Sequence, residues 1–373
     1  VTGPPALCGA LVTLEYVGDD RALSLRDRVQ YHAARTAGRL PARLLHVLAG
    51  GSPLRVDGSV LDDQLHLGLR FWNRKPDRRP EDVATRRRET RRSSAIMAGP
   101  PVPVRDVRAL SVDGAQSALA ARLYVPFGHG TDTPQPLLVW FHGGGFVLGD
   151  LDSADQPVRM LCRHGDLNVL SVDYRLAPEH PFPAAVDDAV AAFDWTVAHV
   201  DELGADPTRI AVGGDSAGAN LAAVVAAQRR GPAGPAAQLL LYPAVDMVTA
   251  YPSLDRFADG YFLTSKDTDW FIDHYAAGAD RSDPRMSPLL ADDHSGLAPA
   301  MVATAAFDVL RDGGEAYAYA MRRAGVPVVL RRVPRLIHGF ANTVGINRAA
   351  YEATVGVATA FRTLLELSDP LSR

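Results

Sequence analysis

Apolar residues change their spacing near residue 100. Before it they recur at helical intervals: Leu40, Leu44, Leu45 and Leu48 share a face within 23–49, a stretch that Gly50 and Gly51 end. Two more helical stretches are expected over 60–73 and over 80–98, the second lying between Pro80 and Pro100. Beyond residue 103, short apolar β-rich runs alternate with helical ones. The runs cover 104–112, 119–125, 137–141, 167–173, 209–213, 237–242, 300–306 and 327–333, and the helical stretches 183–199, 216–230, 312–324 and 348–366. The first runs lie close together and predict antiparallel pairing. The later ones are separated by helices and predict right-handed parallel crossovers. The expected fold class is therefore α/β, a mostly parallel eight-stranded sheet with helices on both faces.

Segment 247–298 interrupts the alternation. It carries Phe257, Tyr261, Phe262, Trp270, Phe271 and Tyr275, dense for a chain with 7% aromatic residues, and it is too long for a simple connection. It reads as a cap or lid insertion. The predicted organisation is an N-terminal helical cap or extension over 1–100 and an α/β domain over 101–373 that holds this insertion.

Composition narrows the function classes. The 373 residues are 47% hydrophobic and 22% charged, as in ordinary soluble proteins. A net charge of −4 gives no drive toward nucleic acid or anionic membrane. Two cysteines, Cys8 and Cys162, cannot make a disulfide framework. No run reaches the roughly 18 apolar residues of a membrane span. The start has no basic n-region before Arg21, so no secretion signal is read and a cytoplasmic location is expected. Val1 in place of Met suggests an alternative start codon. Between Arg70 and Arg92 there are ten basic and four acidic residues, which read as a solvated helical face rather than a dock for an anionic partner.

The chemistry centres on Gly214-Asp215-Ser216-Ala217-Gly218, between the apolar run Ile210-Ala211-Val212 and the helical run Asn220 to Val225. A sharp strand-to-helix turn needs glycines on both sides of the serine, where a Cβ would collide with the opposing backbone. The turn pushes the Ser216 hydroxyl out of the sheet and sets the helix amides, Ala217 first, beside it. Upstream, His142-Gly143-Gly144-Gly145-Phe146 follows the run 137–141. Glycines there let backbone amides approach a developing oxyanion. His142 itself reads as a residue that fixes the loop.

A serine needs a base to take its proton. In this architecture nucleophile, acid and histidine follow successive strands. His338 comes after the last run, whereas His274 and His294 fall inside the presumed cap. Asp308 follows run 300–306 and would orient the histidine, with Asp246, after run 237–242, as its rival. Asp312 and Glu315 read as helix-start charges. Asp173 to Ala184, with its prolines, reads as support for the glycine loop, and Arg175 and Glu179 are placed to pair locally. Glu179 and His180 lack metal-site company, so no metal is expected.

Together, His142-Gly143-Gly144-Gly145, Tyr174 to Pro181, Gly214 to Gly218, Asp308 to Asp312 and His338-Gly339-Phe340 resemble the bacterial hormone-sensitive-lipase-like esterases with a GDSAG elbow, closest to actinobacterial members. The resemblance spans roughly residues 80–373. It implies the α/β-hydrolase fold, an oxyanion hole from Gly144, Gly145 and Ala217, and hydrolysis of short- to medium-chain acyl esters without cofactor. It also implies a cap made from 1–100 and 247–298, although the first ~75 residues exceed the usual cap. Val309 stands where the family usually has proline. On this reading Ser216, His338 and Asp308 form the catalytic triad, and Phe146, Phe262 and Phe340 line the acyl site. The partner is a small-molecule ester; a homodimer is left open. Two other classes compete: a non-catalytic small-molecule receptor on the same fold, and a lyase using the glycine loop for elimination.

Overall fold

The run Gln135–Phe141 is buried at every residue. Such a run, with no polar alternation, needs cover on both faces, and it forms the middle of a sheet flanked by helices. The computed structural model describes residues 14–15, 24–73, 82–128 and 134–368. Ahead of the main sheet lie β1 (Leu14–Glu15), α1 (Leu25–Ala37), α2 (Ala42–Leu48), β2 (Arg55–Val56), β3 (Ser59–Val60), α3 (Asp63–Trp72) and α4 (Val83–Ala98). Then come β4 (Asp106–Asp113), β5 (Ala118–Val125), β6 (Gln135–Phe141), α5 (Asp155–Gly165), β7 (Asn168–Val172), α6 (Ala184–Ala198), β8 (Ala205–Asp215), α7 (Ala217–Gln228) and β9 (Gln238–Leu241). The chain closes with α8 (Pro252–Arg256), α9 (Ser265–Ala276), β10 (Ala300–Phe307), α10 (Arg311–Arg323), β11 (Val328–Ile337) and α11 (Arg348–Leu367).

All eight expected strands form one sheet, in the order β4-β5-β7-β6-β8-β9-β10-β11, and the two-residue β1 adds to its outer edge beside β4. The β4–β5 and β5–β7 pairs are antiparallel, as the closely spaced runs required. From β7 to β11 every pair is parallel. Alternation along β6 splits the core: Leu137, Val139 and Phe141 face one apolar cluster, Leu138 and Trp140 the other. Among the described residues no helix is long and apolar enough to cross a membrane.

Three local expectations change. The stretch 23–49 is two helices, because Gly38 caps α1 and Pro41 precedes α2; the residue before a proline is pushed out of the helical region. Helix α5, which none of the expected stretches covered, sends Val158, Leu161 and Cys162 into the core and buries polar residues beside them. Gln156 accepts from the Val102 amide at 3.1 Å and donates to Pro100 O at 3.0 Å, and Arg159 pairs with Asp155 at 2.8 Å. The arginines of α4 are not a free solvated face. Arg86 reaches Asp267 at 3.1 Å and lies over the Trp270 ring, Arg87 grips the loop around Glu179, Arg91 meets Asp150 and Arg92 meets Asp27. Opposite charge 59 or more residues away, which no local pattern reveals, decided that face.

Candidate active site

The turn between β8 and α7 holds Ser216 at φ 55° and ψ −116°. This conformation is unusual for a residue with a side chain and costs on the order of 1–3 kcal/mol, which the surrounding packing must hold. The flanking glycines are needed for contact reasons. A Cβ on Gly214 would lie 2.2 Å from the Gly218 carbonyl carbon, and one on Gly218 would lie 1.9 Å from Phe141 O. The Ser216 amide donates to Leu241 O at 2.9 Å, anchoring the turn to β9.

Ser216, His338 and Asp308 stand in a row. His338 Nε2 lies 3.0 Å from Ser216 Oγ, and Nδ1 lies 2.8 Å from Asp308 Oδ2. The other carboxylate oxygen, Oδ1, accepts the Leu310 amide at 2.9 Å. All three residues are buried, with Ser216 9% exposed. Each sits just past the C-terminal end of a strand: β8, β10 and β11. The rival Asp246 serves its own turn, accepting from the amides of Val248 and Thr249 and from the Tyr251 hydroxyl. His274 folds back on α9, its Nδ1 2.8 Å from Trp270 O.

The glycine loop leaves β6 and turns back at Gly144, whose carbonyl accepts from Leu148 at 2.8 Å. Gly144 and Gly145 have φ of 126° and 62°, and a Cβ on Gly144 would fall 2.2 Å from Leu148 O. Among the described residues no group accepts the amide of either glycine. Ala217 opens α7, where first-turn amides have no intrahelical acceptor. His142 fixes the loop as expected: its ring stacks on Tyr174 at 4.5 Å, and its carbonyl accepts the Tyr174 hydroxyl at 2.7 Å. The supporting segment is held differently from the local pairing anticipated. Arg175 binds Asp188 at 2.8 Å, and Glu179 is taken by Arg87 at 2.7 Å.

The aromatic residues need correction. Phe340 has no exposed surface and stands edge-on to Tyr242 at 5.1 Å. Phe146 is 3% exposed and lies flat against Tyr275 at 3.8 Å. Both serve the core, because sequence places a ring beside a loop without saying which way it turns. Phe262 is half-buried near Gly339. Phe271, on α9, packs directly on Gly145, whose missing Cβ would lie 2.2 Å from the ring. Position 271 belonged to the aromatic segment noted in the sequence, but nothing there singled it out.

A family model described as alpha/beta hydrolase fold matches residues 138–342. Carboxylic ester hydrolase LipN of Mycobacterium tuberculosis is 44% identical over 338 residues, covering 87% of this chain and 89% of that protein. The chain belongs to the hormone-sensitive-lipase-like esterases of the α/β-hydrolase fold. It is similar also to ethyl acetate hydrolase of Pseudomonas putida, 39% identical with 74% of this chain and 88% of that protein covered. Among solved structures, the hyperthermophilic esterase of the archaeon Pyrobaculum calidifontis superposes with a TM-score of 0.77 at 39% identity, covering 82% of this chain and 98% of that one. In this esterase the matched span holds the glycine loop, the elbow and both residues that follow Ser216 in the row.

Proposed function

We propose that the chain hydrolyses carboxylic esters of short- to medium-chain acids through an acyl-enzyme, with Ser216 as nucleophile, His338 as general base and Asp308 as its orienting acid. The observation that carries this reading is the continuous row from Oγ through the imidazole to the Asp308 carboxylate, at 3.0 and 2.8 Å. With Nδ1–H donated to Asp308, Nε2 is left to accept the serine proton. Ser216 Oγ bonds to the ester carbonyl carbon while its proton passes to Nε2. The carbonyl oxygen takes the negative charge toward the amides of Gly144, Gly145 and Ala217. On collapse the C–O bond to the alcohol breaks and His338 returns the proton to the leaving oxygen. Water, deprotonated by the same nitrogen, then attacks the acyl-serine, and the acid departs as Ser216 regains its proton.

The residues of 1–100 and the inserted helices α8 and α9 would act as the cap. Supporting this, Arg86 joins α4 to α9 and Phe271 rests on the glycine loop. Phe271 and Phe262 would meet the acyl or alkyl chain.

The test is a p-nitrophenyl ester series of rising acyl length beside an amide analogue. Turnover of short and medium esters, labelling of Ser216 by an organophosphonate, and a kcat loss of about 10⁴–10⁶ in Ser216→Ala are expected. Near-full esterase activity in Ser216→Ala would refute the assignment.

A further inference from the structure

A buried carboxylate outside the row ties the elbow to the glycine loop and to the turn after His338. Asp215 is 5% exposed and sits immediately before Ser216. Its Oδ1 accepts the Gly143 amide at 2.8 Å, at the base of the glycine loop. Its Oδ2 accepts from Asn342 Nδ2 at 3.3 Å and from the Tyr242 hydroxyl at 3.4 Å. Asn342 lies in the turn Phe340–Thr343 that follows His338, and the Tyr242 ring stands edge-on to the His338 ring at 4.8 Å. The fit is close: a Cβ on Gly143 would come 2.5 Å from Oδ2.

We propose that Asp215 is a positioning residue, whose carboxylate sets the distance between the amides of the glycine loop and the Ser216–His338 pair. This rests on the function proposed above. A charged or polar group buried beside apolar core is costly unless its lone pairs are used. Here they are used on the loops that must not drift. Displacement of about 1 Å at a reacting centre costs on the order of a hundredfold in rate.

The function of Asp215 is read out by separating kcat from KM. Asp215→Ala removes both anchors; kcat should fall ~100-fold, within the range for losing an oxyanion donor, with KM within about threefold. Affinity for a boronic acid that mimics the tetrahedral intermediate should fall in parallel with kcat. Asp215→Asn keeps an oxygen for the Gly143 amide and should stay within about tenfold of wild type. A folded Asp215→Ala with kcat within about threefold of wild type, or with its loss confined to KM, overturns the proposal. Should that variant fail to fold, Asn342→Ala decides: its side chain is half-buried, and a kcat loss of about three- to tenfold at constant KM is required. An unchanged kcat there overturns the proposal equally. A wild type that turns over no ester sinks the function and this inference together, whereas an active wild type with an unaffected variant sinks only the inference.

Discussion

Arg87 on α4 and Glu179, 92 positions apart, are joined by two hydrogen bonds, Nη1 to Oε1 at 2.8 Å and Nη2 to Oε2 at 2.7 Å. The same guanidinium donates through Nε to Val147 O at 2.9 Å and through Nη2 to Ala177 O at 2.9 Å. One side chain thus holds the far end of the glycine loop to the segment behind it. The carboxylate is half-exposed, so the ion pair itself contributes little. The two carbonyls matter more, because they lose their donor when the arginine goes. Arg87→Ala is expected to lower stability by about 1–3 kcal/mol and Glu179→Gln by under ~1 kcal/mol, both measured by urea unfolding. Equal losses in the two variants would contradict this division.

The elbow tolerates no added atom. The neighbours that a Cβ on Gly218 would strike, Phe141 O at 1.9 Å and His142 O at 2.6 Å, are backbone and cannot swing away. Gly218→Ala should therefore cost at least the ~3 kcal/mol at the upper end of overpacking, seen as a lowered Tm or insoluble protein. Gly58, where a Cβ meets nothing within 4 Å, has a φ of 76°; Gly58→Asn should keep wild-type activity and a near-normal Tm.

Burial pushes the Asp215 carboxyl above its ordinary value of 3.8, against the Gly143 amide, which favours the charged form. With the folded value above the unfolded one, the native state holds more protons between them, so this group's contribution to stability falls as pH rises from about 4 through the raised value. Asp215→Asn does not titrate. Its stability relative to wild type should therefore climb across that window, as read from urea unfolding of both proteins between pH 4 and 7. A pH-independent difference would mean that burial does not shift the group.

Asp150 works with the opposite sign. Burial opposes ionisation there too, but the Ser153 amide and hydroxyl and the Arg91 guanidinium hold the carboxyl below its ordinary range. Its contribution is present above the unfolded value and is lost as pH falls below about 4. Asp150→Asn should narrow the gap to wild type in acid. Unfolding curves at pH 3 and pH 6 measure this, and a gap that widens in acid would reverse the assignment.

Phe271 rests on Gly145 and is half-buried. Phe271→Ala should open space beside the glycine loop, raising KM for short esters and shifting the preferred acyl length upward in the p-nitrophenyl series. An unchanged chain-length profile would place the acyl group elsewhere.

Much of this protein is legible in its amino-acid order. Strands β6, β7, β9 and β10 are buried on both faces and so near-continuous in apolar residues, which made them stand out, and strand spacing separated antiparallel from parallel pairing. The Ser216 elbow and the glycine loop were also readable, because a tight turn at a strand end demands particular residues in a short span, and Asp308 and His338 were candidates by their place after successive strands. Tertiary structure alone decided what depends on direction and distant partners. Phe146 and Phe340 turn into the core while Phe271 turns onto Gly145, a choice of side-chain orientation that periodicity does not encode. Arg87 and Asp215 acquire their roles from carbonyls and amides brought close by folding. Hydrogen bonds act over about 3 Å of space, whatever the separation along the chain.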